Sequence, residues 1–459
     1  MKNKFTGLLF SILLASSLFA QRNLTLMDLK TPYTYRVNPA ATPETRFFIG
    51  LPMLGHQNVQ ITNRISSVNN LLVKNAQDSL VLNTSESFYN GLGKRTYIGV
   101  DVTNQILAFG FKAKNSYFNF DISNRLVTEV GFGSDLLKFV SQGNGGSLLG
   151  QRAGFDGLGA SLLSYIECGL GYSREINPNV SIGGRFKLLS GLANLSGTNT
   201  SFGITTDSLN YNLTFDGQAD IKSSNTLIFT DSAYMNNLDY MRLAKMAYNF
   251  SNFGMAFDLG ASVKLSEKFT VNASVIDLGF INWKNGVSNY SINKFSYTFK
   301  GLDLNSLLSD SSDVAKEITD SLTSIFKVGN TTNSYSTGLP TRIYLGGAIN
   351  WNKYLSTGFT FYNEFYNSSY RPGLVLSSTF SLRHWLGATL NYGIYSRSSA
   401  NVGFGLRIRG FYVLTDNLVA LLNYQAVKAA SVCFGFNLVI GKRKIAAPAL
   451  AEPAAPAAQ

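Results

Sequence analysis

The stretch FDLGASVKL, residues 257–265, alternates strictly between apolar and polar side chains. One parity holds Phe257, Leu259, Ala261, Val263 and Leu265. The other parity holds Asp258, Gly260, Ser262 and Lys264. Because successive side chains of a strand point to opposite faces, this stretch is predicted to be a β-strand with one apolar and one polar face.

The same alternation recurs along most of the chain. It is equally strict at 180–188 and 402–409. Comparable segments lie near 97–103, 105–112, 116–124, 165–174, 268–277, 341–351, 354–364, 372–382, 385–394, 418–426 and 430–440. We therefore expect about 14 strands, with an even number preferred and a range of roughly 12–18.

Two architectures bury only one face of such strands, a soluble sandwich and a membrane barrel whose apolar face meets lipid. The polar faces here carry mainly Gly, Ser, Thr and Asn, and charged residues make up only 14% of the chain. A soluble domain has about 25% charged residues. The strand lengths also match the ~9–11 residues that cross a bilayer at a tilt. The fold is predicted to be all-β, a transmembrane antiparallel barrel with short helical insertions.

The connections alternate between tight turns and longer loops, as in outer-membrane barrels. Tight turns are expected at Asn177-Pro178, Ser266-Glu267, Asn352-Lys353 and near Arg383-His384, and longer connections at 190–250, 278–338, 366–371 and 395–400. Three insertions have helical patterns: 134–142, with Ser134 as its cap, 235–248 and 303–327. The last is expected to cover the barrel mouth, or alternatively to dock a partner.

The two ends of the chain differ from the barrel. Residues 1–20 have the basic start and apolar centre of a signal peptide, with cleavage expected near Ala20. Residues 21–44 form a leader or plug segment, the barrel is expected over 45–441, and the Ala/Pro-rich residues 442–459 form a disordered tail. In the leader, Asn38, Pro39, Ala40 and Pro43 are interpreted as a hinge between plug and first strand.

Composition argues against several functions. The formal charge is +12, but the basic run Lys442-Arg443-Lys444 has no interleaved aromatic residues, so nucleic-acid binding is not expected. The basic balance instead favours contact with outer-membrane lipid headgroups or lipopolysaccharide. His56, His384, Cys168 and Cys433 are too scattered to predict a metal or cofactor site. No Gly-x-Ser-x-Gly elbow accompanies the histidines, so an enzyme is not predicted.

Strand parity also bears on the cysteines and charges. Cys168 shares parity with apolar neighbours and Cys433 with the polar side, so a disulfide between them is not expected. The charges predicted to face the lumen are Arg185, Lys187, Asp258, Lys264, Arg407 and Arg409. They have two interpretations, cross-barrel ion pairs that keep a packed lumen neutral, or a basic track for an anionic cargo such as a fatty-acid carboxylate.

Two motifs resemble known barrels. Asn38-Pro39-Ala40 after a signal peptide resembles the start of the FadL-type outer-membrane fatty-acid transporters. SVIDLGFINWKNG, residues 274–286, resembles a strand end in an uncharacterised Bacteroidota barrel family related to PorV-like and PorP-like proteins of type IX secretion. In that motif Asp277 and Gly279 are expected to end a strand, and Trp283 to lie in the interfacial aromatic belt, with a ligand role as the alternative.

The resemblance implies an outer-membrane barrel that passes or binds hydrophobic or amphipathic small molecules. Its alternative implication is a non-enzymatic accessory barrel that contacts secretion or surface-protein partners.

Overall fold

The strands are long and follow one another in antiparallel hairpins. A computed structural model describes residues 28–43, 45–63, 72–75, 78–92, 96–226, 251–299, 328–367, 369–382, 385–395, 398–422 and 429–442. The predicted signal peptide, the helices at 235–248 and 303–327, and residues 443–459 of the tail lie outside these ranges. Among the helices of the described residues, none is both long enough and apolar enough to span a membrane.

Twenty-two strands are present in the described residues. Their bounds are β1 Thr45–Gly50, β2 Gln57–Asn63, β3 Leu72–Lys74, β4 Leu80–Leu82, β5 Thr96–Ala113, β6 Ser116–Phe132, β7 Arg152–Gly154, β8 Gly159–Asn177, β9 Val180–Thr206, β10 Leu213–Ser224, β11 Phe253–Lys264, β12 Phe269–Trp283, β13 Val287–Phe299, β14 Val328–Thr331, β15 Tyr335–Gly338, β16 Thr341–Asn350, β17 Leu355–Tyr366, β18 Ser369–Leu382, β19 Leu386–Tyr395, β20 Ser398–Ile408, β21 Phe411–Thr415 and β22 Ala429–Lys442. The helices are α1 Glu86–Gly91, α2 Ser134–Gln142 and α3 Leu418–Leu422, with 3₁₀ turns at Thr34–Arg36 and Gly146–Leu148.

The strands close into a barrel. β1 and β2 occupy one position of the wall, because both pair with β22 on one side and with β5 on the other. From there the ring runs through β5, β6, β8, β9, β11, β12, β16, β17, β18, β19, β20, β21 and β22. All these pairs are antiparallel, and the ring has fourteen positions, which confirms the predicted barrel and strand number.

Each strand of the ring turns an apolar face outward. In β18, Leu374 and Leu376 are exposed, while the residues of the opposite parity, Val375, Ser377 and Thr379, are buried in the lumen. Other exposed apolar residues of the ring include Phe109, Leu170, Phe257, Phe359, Leu390 and Leu438. A continuous outward apolar band is the surface that a bilayer requires of a barrel.

The two ends of the ring differ in their connections. At one end, here the turn end, Lys114 and Pro178 lie in tight hairpins and Thr45 pairs with Lys442. At the other end, here the loop end, the connection 133–158 carries α2 and β7. The longer connections predicted at 366–371 and 395–400 are wrong, because Tyr366 pairs with Ser369 and Tyr395 with Ser398 in hairpins at this end. At the loop end β9 continues beyond the ring to Thr206 and pairs there with β10, which in turn pairs with β13.

This extension corrects the prediction of long connections at 190–250 and 278–338. Their described parts, through Ser224 and from Val287 to Phe299, are largely strand. The alternation fades because these strands lie beyond the ring, where both faces of a sheet meet water and no parity needs to be apolar.

Smaller differences have local causes. The segments 97–103 and 105–112 belong to one strand, β5. They look separate in the sequence because a bulge between Gln105 and Leu107 inverts the parity of the apolar residues. The strand predicted at 418–426 is wrong over Leu418–Leu422, which form α3, and the short β21 was not predicted. Helix α2 has the predicted bounds, but Gly133 is its cap and Ser134 its first residue. Both cysteines are free, as expected.

Candidate functional site

The leader, residues 28–43, lies inside the ring. Arg407 of β20 donates from Nε to the Leu29 carbonyl at 2.7 Å. Ser274 of β12 donates to the Val37 carbonyl at 2.6 Å. Asn38 donates from Nδ2 to the carbonyl of Ala261 in β11 at 3.1 Å. Since β20 and β11 lie on nearly opposite sides of the ring, the leader crosses the lumen before it returns to β1.

Aromatic packing fixes the first half of the leader. Tyr33 and Tyr35 are buried in one cluster with Phe48, Tyr117 and Tyr412 of the wall. The Tyr33 ring lies 5.5 Å from that of Phe48 in an edge-on arrangement, and the Tyr33 hydroxyl donates to Gln105 Oε1 at 3.1 Å. Such buried aromatic pairs add about 0.5–1.5 kcal/mol each beyond area burial. This half of the leader also contains the 3₁₀ turn Thr34–Arg36.

The Asn-Pro-Ala motif fits against two glycines. Asn38 Oδ1 accepts from the Ala40 amide at 2.9 Å, which holds the turn. A Cβ at Gly183 would overlap the Pro39 carbonyl, and a Cβ at Gly260 would overlap the Asn38 side chain. Pro43 is also buried, next to the start of β1. The motif is therefore in close contact with the wall, where two glycines leave room for it. A hinge role for these residues stays a prediction.

Arg36 makes the leader's ionic contacts. Its Nη1 donates to Glu167 Oε1 at 3.1 Å, and its Nη2 donates to Asp121 Oδ2 and to Ser123 Oγ. Asp121, Ser123 and Glu167 are fully buried. Breaking a buried pair by removing one partner costs about 3–5 kcal/mol, so Arg36 is a strong anchor for the docked leader.

Arg36 belongs to a larger set of ion pairs, here the luminal ion network. Arg185 pairs with Asp121 and, at 3.2 Å, with Asp258. Lys187 pairs with Asp258 at 2.8 Å and with Asp277. The remaining members are Arg125, Arg342, Arg371, Asp101, Glu129, Glu167 and Glu364. The network joins strands from β5 round to β18 above the leader.

The predicted luminal charges divide into two groups. Arg185, Lys187 and Asp258 lie in the network, and Arg407 is buried against the leader. Lys264 and Arg409 are exposed at the turn end, so their placement in the lumen was wrong. Both lie at strand ends, where alternation no longer fixes the direction of a side chain.

The predicted strand end at Asp277 is also wrong. β12 passes through Asp277 and Gly279 to Trp283, and Asp277 takes φ +59 at a bulge opposite Phe257 and Leu259. Trp283 is buried in the lumen rather than placed at the lipid interface, and it donates from Nε1 to Thr337 Oγ1 at 2.8 Å. The belt prediction assumed that the strand ends before Trp283, whereas β12 continues to that residue and the bulge turns its side chain towards the lumen.

Sequence reasoning missed Asp121, Glu167, Arg125 and Arg342 as site residues. Each lies between uncharged neighbours on the polar face of its strand, with no neighbouring motif, and Asp121 and Arg125 share β6. The only available signal was parity, since an isolated charge on a luminal face requires a partner across the barrel.

A small polar cavity lies beside Arg36. It offers about 30 Å³ to water-sized groups, room for about two waters. The lining includes Arg36, Asn58, Gln60, Asp101, Asp277 and Arg342. Asn58 Oδ1 and Gln60 Oε1 have no hydrogen-bond partner among the described residues. No group of residues that could hold a metal ion occurs in the described part of the chain.

Towards the loop end the lumen is apolar. Trp283, Ile281, Leu163, Leu189 and Tyr335 are buried in one cluster, here the outer apolar cluster, with Val127, Ala256, Val287, Leu339 and Tyr366. From the turn end upward, the lumen therefore contains the leader with its aromatic cluster, the luminal ion network and the outer apolar cluster.

Comparison with solved structures finds barrels at low identity. The Ralstonia pickettii toluene transporter TbuX is 8% identical with a TM-score of 0.41, over 89% of this chain and 94% of that one. The Pseudomonas putida toluene transporter TodX is 9% identical with a TM-score of 0.37, over 91% and 93%. The translocator domain of the autotransporter NalP from Neisseria meningitidis is 7% identical with a TM-score of 0.35, over 89% and 93%. At these values the similarities carry no weight for function.

No curated protein matches the sequence. A family model does, over residues 39–416, a range that begins at Pro39 of the Asn-Pro-Ala motif and includes the ring from β1 to β21. The chain belongs to the family of unknown function DUF5723.

Proposed function

We propose that this chain is a non-enzymatic outer-membrane barrel that binds and passes hydrophobic or amphipathic small molecules, and that its leader closes the lumen. The observation that carries the proposal is the leader itself. It crosses the lumen and is held there by side-chain contacts to β12, β11 and β20. The leader enters the lumen from the turn end and returns to the same end at β1. It can therefore leave the lumen without breaking a strand pair of the ring.

The wall supports the membrane assignment. Its outward residues are apolar over the length of the strands, whereas its inward residues include many polar and charged side chains. With the predicted signal peptide, this arrangement favours the outer membrane, where lipid and lipopolysaccharide would surround the ring.

The lumen supports a hydrophobic or amphipathic cargo. The outer apolar cluster can pack against an apolar ligand. The luminal ion network, which lies next to this cluster towards the turn end, is charged. A molecule with an apolar body and a polar head matches this order of layers. The toluene transporters compared above have their own substrates, which are not assigned to this chain.

Analysis of co-purifying molecules tests the proposal. Protein purified from outer membranes should retain lipids or other hydrophobic molecules that appear in organic extracts by mass spectrometry. Cells that lack the chain should take up fewer such compounds. If no molecule is retained, uptake is normal and a protein partner co-purifies in fixed ratio, the accessory-barrel alternative replaces transport.

A further inference from the structure

The place that Arg36 occupies is built for a cation. Two buried carboxylates, Asp121 and Glu167, and the Ser123 hydroxyl all accept from one guanidinium. They belong to β6 and β8, so they stay in the wall when the leader moves. The leader thus occupies the site as a ligand from the same chain.

Withdrawal of the leader removes one cation from the charges around this place. The carboxylates are Asp121, Glu167, Asp258 and Asp277, and the cations that pair with them are Arg36, Arg125, Arg185 and Lys187. A further cation, Arg342, reaches Asp277 at 3.2 Å but also approaches Asp101 and Glu364. Arg36 is the one member that the leader supplies, so withdrawal leaves Asp121 and Glu167 each short of a partner.

The cavity beside Arg36 gives an independent indication. Asn58 and Gln60 are buried, line the cavity and have side-chain oxygens without a donor. Oxygens of this kind are acceptors that an ammonium or guanidinium group can satisfy. Arg125, Arg185 and Lys187 also line the cavity, and all three already pair with carboxylates. The Nε groups of Arg125 and Arg185 have no acceptor among the described residues, so the preference for a cation comes from the position that Arg36 occupies between Asp121 and Glu167.

We propose that, with the leader withdrawn, the lumen selects amphiphiles that carry a cationic head group, a guanidinium or an ammonium. The head group takes the position of the Arg36 guanidinium between Asp121 and Glu167. The apolar body packs on aromatic residues of the wall, including Phe48, Tyr117 and Tyr412, which become free when Tyr33 and Tyr35 withdraw with the leader. This inference rests on the proposed function, and it opposes the interpretation of the luminal charges as a basic track for anionic cargo.

Binding of matched twelve-carbon probes tests the inference. Dodecylguanidinium, dodecanoate and dodecanol are titrated calorimetrically into the full chain in lipid nanodiscs, with empty nanodiscs subtracted. We expect Arg36→Ala to bind dodecylguanidinium at least tenfold more tightly than the wild type, because the site is vacated. Arg409→Ala, which removes an exposed cation, should match the wild type. Adding Asp121→Asn and Glu167→Gln to Arg36→Ala should abolish the gain.

A second test keeps all the luminal charges of the wild type. Ala41→Cys in a Cys168→Ser background reports leader release through labelling with a membrane-impermeant maleimide. Dodecylguanidinium should raise the labelling rate several-fold, and dodecanoate should not.

The outcomes separate the two proposals. A gain in affinity for dodecanoate on Arg36→Ala, or a dodecylguanidinium gain that survives Asp121→Asn with Glu167→Gln, overturns the inference. If dodecanol binds while the cation shows no preference, only the inference fails. If no probe binds any variant, both the inference and the proposed function fail.

Discussion

Asp277 shows how a single residue organises the lumen. It adopts a left-handed backbone, which non-glycine residues rarely do. Its carboxylate pairs with Lys187, with Arg342 at 3.2 Å and with Arg125 at 3.8 Å, and its amide donates to Asp258 Oδ1 at 2.8 Å. The bulge directs the Asp277 side chain towards the luminal ion network, and the ion pairs of the network stabilise the bulge.

Asp277→Asn should therefore be costly even though asparagine tolerates the same backbone. It leaves buried cations without their shared carboxylate, and we expect the free energy of unfolding to fall by about 3–5 kcal/mol. Urea unfolding in detergent micelles measures the change. Asp207→Asn is the control, because Asp207 is exposed in the β9–β10 turn and only caps backbone amides. Equal stability of the two variants would contradict the role given to Asp277.

Gly183 and Gly184 form a matched pair for leader docking. A Cβ at Gly183 would overlap the Pro39 carbonyl, whereas one at Gly184 would meet its nearest atom, the Asp258 carbonyl, at 3.5 Å. Gly183→Ala should displace the leader and raise maleimide labelling at Ala41→Cys by at least tenfold, and Gly184→Ala should leave it unchanged. The same labelling rate in both variants would mean that the Asn-Pro-Ala contact does not hold the leader.

At the scale of elements, strands could be predicted from the sequence where one of their faces contacts lipid. Strands such as β11 and β18 alternate because one face meets lipid and the other the lumen, so their existence could be predicted. The outer parts of β9 and β13 could not, since water on both faces removes the alternation. The bulges at Gln105 and Asp277 could not be predicted either, and each shifted the parity that follows it.

The candidate site was only partly accessible to sequence reasoning. Asn38, Pro39 and Ala40 were identified from the prolines of the leader and from their position just before the first predicted strand. The partners of Arg36 were not, because Asp121 and Glu167 lie 85 and 131 residues away along the chain. Such pairs are set by strand order and register, which a single sequence does not specify.

The leader as an element gives a prediction for its two prolines. Pro39→Ala with Pro43→Ala frees two restricted backbone positions and increases the flexibility of the undocked leader. We expect the docked state to lose about 1–2 kcal/mol in total, at about 0.4–1 kcal/mol per residue, and labelling at Ala41→Cys to rise accordingly. The heat-modifiable gel shift of the folded barrel should stay as in the wild type. Unchanged labelling would remove the hinge interpretation.

At the scale of the molecule, the ring and its contents have separate roles. Fourteen strand positions close without the leader, because every strand pair of the ring joins wall to wall. The leader, the ion network and the outer apolar cluster then fill the lumen in layers. The barrel supplies a stable wall, and under the proposed function the docked leader closes the path through the lumen.

Single-channel recording in planar bilayers tests this account most directly. Wild-type protein and Gly184→Ala should show little conductance, because the leader is docked. Gly183→Ala and Arg36→Ala should open to a steady conductance, because each removes a leader contact and leaves every strand pair intact. If all four proteins are equally closed, or if the wild type conducts as well as the two leader variants, the leader does not gate the lumen.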